Sequence, residues 1–212
     1  MGVHCLVFCA LAPAVADTAH DSAEAIAERI GSGNPVLGKS KSVVCQACHG
    51  VDGHSAATDS PKLAGQYADY LIGQVRNFQS GARRHPAISE PAFGISEADV
   101  ADIAAYFASQ NTMAGNGPQA GVPIQSLYAR GDPKRDVLAC ASCHGENGKS
   151  NFNGSDSSPV IGGQHQAYLR TQLIQLRAGH RKSGAGGVMN LIAKSLKDEE
   201  IEALSDYISA LK

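Results

Sequence analysis

No tryptophan occurs in these 212 residues, aromatic side chains make up 5% of them, and there are three methionines, Met1, Met113 and Met189. Two cores built from so few large side chains would be thin, and a bulky apolar group held in each half would explain how they fold. Long apolar runs are missing too, so nothing in the body of the chain reads as a membrane span. The net charge of −2 excludes the strongly basic balance expected of a nucleic-acid binder.

Residues 1–16, MGVHCLVFCALAPAVA, contain no Lys, Arg, Asp or Glu and end in the small-residue pattern Ala14-Val15-Ala16. They read as a secretory signal peptide lacking the usual basic start, and the mature chain is expected from Asp17 onward, exported to the periplasm. Four of the six cysteines lie in the body, as Cys45/Cys48 and Cys140/Cys143. Two disulfides would suit an exported chain, but the residues that follow the cysteines argue otherwise.

Both pairs belong to a C-x-x-C-H-G string, Cys45 to Gly50 and Cys140 to Gly145. C-x-x-C-H is the attachment signature of c-type haem. Thiols at i and i+3 of a helical turn each add to one haem vinyl group, and the adjacent imidazole, His49 or His144, lies beneath the iron as its proximal ligand. A zinc half-site or a redox pair is the other reading of one such motif. Zinc would want a second ligand pair near each motif, and the sequence supplies none.

The motifs sit in a longer repeat. Pro61-Lys62-Leu63-Ala64-Gly65-Gln66 recurs as Pro159-Val160-Ile161-Gly162-Gly163-Gln164. Tyr70, Gln74, Gly81 and Arg83 recur as Tyr168, Gln172, Gly179 and Arg181. The second copy carries extra residues within 150–158, a polar stretch that reads as a surface loop, and again around 184–187. Each copy closes on an amphipathic helix: Val100, Ile103, Ala104 and Phe107 share one face, and Ile201, Leu204, Ile208 and Leu211 share the other. Residues 111–125, with three Gly and two Pro, read as a linker between domains at 17–110 and 126–212.

These residues resemble the two-haem cytochrome c4 family over nearly all of the mature chain. The resemblance rests on both CxxCHG motifs, the PKLAGQ and PVIGGQ segments, and the closing helices VADIAAYF and IEALSDYI. It implies an all-α protein of two tandem cytochrome-c-like domains related by pseudo-twofold symmetry, carrying two covalently bound c-type haems. It implies electron transfer in the periplasm between redox partners such as a quinol-oxidising complex and a terminal oxidase or reductase, with peripheral membrane association open. It implies that the carbonyls of Pro61 and Pro159 hold the proximal imidazoles; without it each is simply a turn residue. It gives the distal ligand of the second haem to Met189, seven residues before the leucine that leads into the last helix.

The first copy departs from that pattern, because Ile88 occupies the place of Met189 and cannot ligate iron. Four readings stay open: His85 swings in from the same loop, the site is open under an apolar lid, Met113 reaches back, or His54 turns over. An open first haem would suit a haem enzyme or small-ligand sensor, with His85 or Glu90 as distal acid or base, or a cytochrome subunit of a larger oxidoreductase whose partner covers the site. Counted by halves, residues 17–115 carry a formal −4 and residues 116–212 a formal +2, a weak dipole for orienting toward charged partners.

Overall fold

A proline at the first helical position and an asparagine just before it set up one of the closest helix contacts in the chain. Asn34 Oδ1 accepts from the backbone N–H groups of Val36 and Leu37, starting α2 (Pro35–Lys41). In the computed structural model, which describes residues 22–118, 121–150, 158–182 and 184–212, α2 lies flat across the closing helix of the first half. α1 (Ala23–Ile30) also packs against that helix. The leader and most of the 150–158 stretch fall outside the described residues.

Eleven α-helices make up the described fold, with one isolated antiparallel bridge, Asp132 to Val137, as its only extended pairing. The first half continues with α3 (Val43–His49), α4 (Ala68–Gln79), α5 (Ser89–Phe93) and α6 (Glu97–Ala108). The second half holds α7 (Val122–Arg130), α8 (Cys140–His144), α9 (Gln166–Ala178), α10 (Gly184–Lys194) and α11 (Asp198–Ala210). The expected apolar faces are buried in both closing helices, and each half has its own core. Helix α7 starts at Val122, inside the stretch 111–125 that reads as linker, and packs on α8 and α11. Its Pro123 sits in the first turn, where a missing N–H costs nothing.

The α2–α6 contact depends on Gly38. A Cβ built there would stand 1.9 Å from the carbonyl oxygen of Asp102 and 2.6 Å from its carbon. Elsewhere in a helix Gly→Ala gains up to about 1 kcal/mol; here it forces two backbones apart. Gly38→Ala is expected to lose about 1–3 kcal/mol, the usual range for overpacking, in a urea melt of the haem-loaded protein.

Charge also ties each closing helix to the segment before its CxxCH helix: Lys41 pairs with Asp99 and Asp102 in the first half, and Arg135 is the cation in the second. Arg135 donates to Asp132, to Glu200 and to the Ser195 carbonyl, tying the turn before α8 to the start of α11. The Arg135 guanidinium is the chief reason the Glu200 carboxyl lies below the usual glutamate range. A depressed folded-state pKa contributes stability above the unfolded value, and that contribution fades as pH falls through the folded one. Glu200→Gln is therefore expected to flatten the loss of stability between about pH 5 and 3, read as urea midpoints at stepped pH.

Candidate haem sites and the interface between them

Each CxxCH lies on a short helix that a glycine ends. Gly50 and Gly145 follow His49 and His144 with φ of 83° and 77°, turning the chain sharply back beside the imidazole. The loops that follow are bonded alike. The Gly53 carbonyl accepts from Leu63 and Ala64, and the Gly148 carbonyl accepts from Ile161 and Gly162. Both loops bring a proline carbonyl to the histidine: His49 Nδ1–H donates to Pro61 O at 2.8 Å, and His144 Nδ1–H donates to Pro159 O at 2.9 Å.

A carbonyl can only accept, so Nδ1 carries the proton in both rings and Nε2 is left with its lone pair. Burial pulls both imidazoles below their ordinary pKa, against the carbonyl bond, which keeps them neutral. A neutral ring with its orientation fixed through Nδ1 is what an axial ligand needs. None of the four body cysteines is in a disulfide. Cys45 and Cys140 pack against the two cores. Among the described residues no group of three His, Cys, Asp or Glu could hold a metal ion.

Met189 packs on the second core in the company of Cys140, Ile161, Leu173 and Ile174. Its register with Ile88 is carried by the backbone. Ile95 N donates to Ala92 O and Leu196 N to Ala193 O, while Gln79 and Arg177, at matching places on α4 and α9, donate to the carbonyls of Ile95 and Leu196. The surroundings differ. Met189 is inside the eleven-residue α10, whereas Ile88, half-buried, precedes the five-residue α5.

The structure separates the other candidates for the first distal face. Met113 is fully buried and accepts from Gln164 Nε2 at 3.5 Å, at the boundary between the halves. His54 is exposed, with Nε2 at 3.1 Å from the carbonyl of Asn111, on the loop that follows the first CxxCH. His85 is exposed; its Nδ1 accepts from Ala87 N, and its own N–H donates to Ser89 Oγ. Glu90 is exposed as well.

The two halves grip each other through repeated residues. Gln66 Nε2 donates to Val160 O and Gln66 Oε1 accepts from Val160 N, both at 2.9 Å. Gln164 does the same to Lys62, donating to its carbonyl and accepting from its N–H at 2.9 Å. Farther along, Arg83 donates to Tyr168 and Gln172, and Arg181 donates to Tyr70 and Gln74. His165 reaches the Ser55 carbonyl of the other half at 2.9 Å.

Burial pushes the Tyr168 hydroxyl up, but Arg83 and Arg181 outweigh it and hold it below the usual tyrosine value. No carboxylate is recorded on either guanidinium among the described residues. Two cations meeting at one interface with only neutral partners suit a group that brings carboxylates of its own, as haem does through its propionates.

Comparison with known proteins settles the family. The family model described as cytochrome c matches twice, over residues 38–111 and 125–212. Cytochrome c4 of Pseudomonas aeruginosa is 37% identical over 182 residues, covering 85% of this chain and 90% of that protein. The chain belongs to the dihaem cytochrome c4 family. A protein of Stutzerimonas stutzeri named thiosulfate dehydrogenase electron acceptor is 32% identical, with 84% of this chain and 82% of that one covered. The crystal structure of reduced recombinant cytochrome c4 from Pseudomonas stutzeri superposes with a TM-score of 0.77 at 36% identity, covering 85% of this chain and all of that one. This cytochrome is accordingly an electron carrier with two covalently bound c-type haems in tandem cytochrome-c domains, and not an enzyme. No described helix is long and apolar enough to cross a membrane.

Proposed function

We propose that this cytochrome is a directional relay in the periplasm, taking electrons at the first haem and releasing them from the second. Cys45, Cys48 and His49 hold the first haem, and Cys140, Cys143 and His144 hold the second. Pro61 and Pro159 orient the imidazoles. Met189 supplies the sixth ligand of the second haem alone, and Ile88 leaves the first without a thioether. The observation that carries this reading is Met189 packed against the second core seven residues before Leu196, with Ile88 seven residues before the matching Ile95. A thioether raises the potential of a histidine-ligated haem, so the electron rests on the second.

A quinol-oxidising complex as donor and a terminal oxidase or reductase as acceptor fit a carrier of this kind. The relative named as an electron acceptor of thiosulfate dehydrogenase supports a sulfur-compound oxidase as a second type of donor.

Spectroelectrochemical titration tests the relay. Two one-electron waves are expected, the higher one belonging to the haem with a thioether-to-iron absorption band. A single wave, or the band on the lower wave, would overturn the direction. Carbon monoxide added to the reduced protein then tests the first distal face. Uptake by one haem in two fits a first haem with no protein ligand above it. No uptake by the parent, with uptake appearing in His85→Ala, would give the position to His85 instead.

A further inference from the structure

The peptide group between Pro61 and Lys62 is engaged on both sides by different halves of the molecule. Its carbonyl, belonging to Pro61, accepts from His49 Nδ1 at 2.8 Å. Its N–H, belonging to Lys62, donates to Gln164 Oε1 at 2.9 Å. The Pro159–Val160 peptide repeats the arrangement: Pro159 O accepts from His144 Nδ1, and Val160 N donates to Gln66 Oε1. Each glutamine is 4% exposed. Each is also pinned by its own neighbour, since Tyr67 N donates to Gln66 Oε1 and His165 N donates to Gln164 Oε1.

From this geometry we infer that Gln66 and Gln164 are positioning residues for the proximal imidazole of the opposite half. Gln164 acts on His49 and Gln66 acts on His144, each through a single shared peptide. A peptide whose N–H is bonded has a more negative carbonyl, strengthened by roughly 10–30% per bond in a chain. A stronger acceptor at Nδ1 makes the imidazole a better electron donor to iron and favours the ferric state. Docking of one half therefore lowers the potential of the haem in the other. The inference rests on the proposed roles of His49 and His144 as proximal ligands.

The test uses the full chain with both haems, as Gln164→Met and Gln66→Met in separate proteins labelled with ¹⁵N-histidine. Methionine keeps the length and apolar bulk of glutamine but offers no amide. Gln164→Met is expected to shift the first haem's equilibrium toward the reduced form by up to about tenfold, which is 59 mV for one electron. The paramagnetically shifted His49 Nδ1–H signal should move, with the second haem unaltered. Gln66→Met should do the reverse. Tyr70→Phe removes the cross-half bond from Arg181, outside the relay, and should move neither potential. Equal movement of both haems in either glutamine variant, or the same shift in Tyr70→Phe, would show an effect of docking alone and overturn the relay. Shifted axial-imidazole signals that are present but unmoved would also overturn it. Their absence from His49 and His144 would instead remove the ligand assignment beneath it.

Discussion

Met189→Ile is expected to bring the two reduction waves of the protein together. The variant gives the second copy the residue that the first already has. A second haem deprived of its thioether loses the ligand that favours ferrous iron, so the upper wave falls toward the lower one. Isoleucine is close to methionine in volume, and such exchanges in a core usually cost under about 1.5 kcal/mol, so the second half should stay folded around Cys140, Ile161 and Leu173. Carbon monoxide uptake by the reduced protein should rise by one haem. Spectroelectrochemistry reads the first effect and a gas titration the second. An upper wave that stays in place would take the ligand role from Met189. The converse, Ile88→Met, is expected to raise the lower wave by less. Position 88 lies in the turn before α5, whereas Met189 is carried inside α10.

What could be read without the structure follows the range of the interactions involved. The two covalent haems were legible because attachment chemistry confines two thiols and an imidazole to five consecutive residues. The closing helices were legible because Val100, Ile103, Ala104 and Phe107 repeat with the helical period. Gln66, Gln74 and Arg83 showed as repeated residues, but their work did not show. A polar face turned to solvent and one turned to a twin domain have the same periodicity, and only the fold tells that Gln164 meets Lys62. The start of α7 was lost for a local reason, since Pro123 reads as a breaker unless it is known to sit in a first turn. Gly38 gave no signal at all, because close approach of two backbones leaves no pattern in sequence.

Replacing both interface arginines, as Arg83→Gln with Arg181→Gln, is expected to make the two halves melt separately. Four cross-half hydrogen bonds end on these guanidiniums, two from each. Hydrogen bonds from charged groups are worth about 1.5–3 kcal/mol each, but members of one cluster do not add, so the double loss is put at roughly 3–6 kcal/mol. That is a large share of the about 5–15 kcal/mol that holds a typical domain folded. Glutamine keeps donors at the site and removes only the charge and the reach. The cores of the two halves use different residues and do not share a side chain, so each should survive the loss. Calorimetry of the haem-loaded double variant should resolve two transitions where one is expected of the parent. The glutamine pairs of Gln66 and Gln164 would then be the main remaining tie, and their buried bonds to Val160 and Lys62 should loosen with it. A single transition at the parent temperature would mean that docking rests on those glutamines and not on the arginines. The double variant also tests the charge argument. If the guanidiniums answer haem propionates, both potentials should fall when they are removed, because two positive charges no longer favour the added electron.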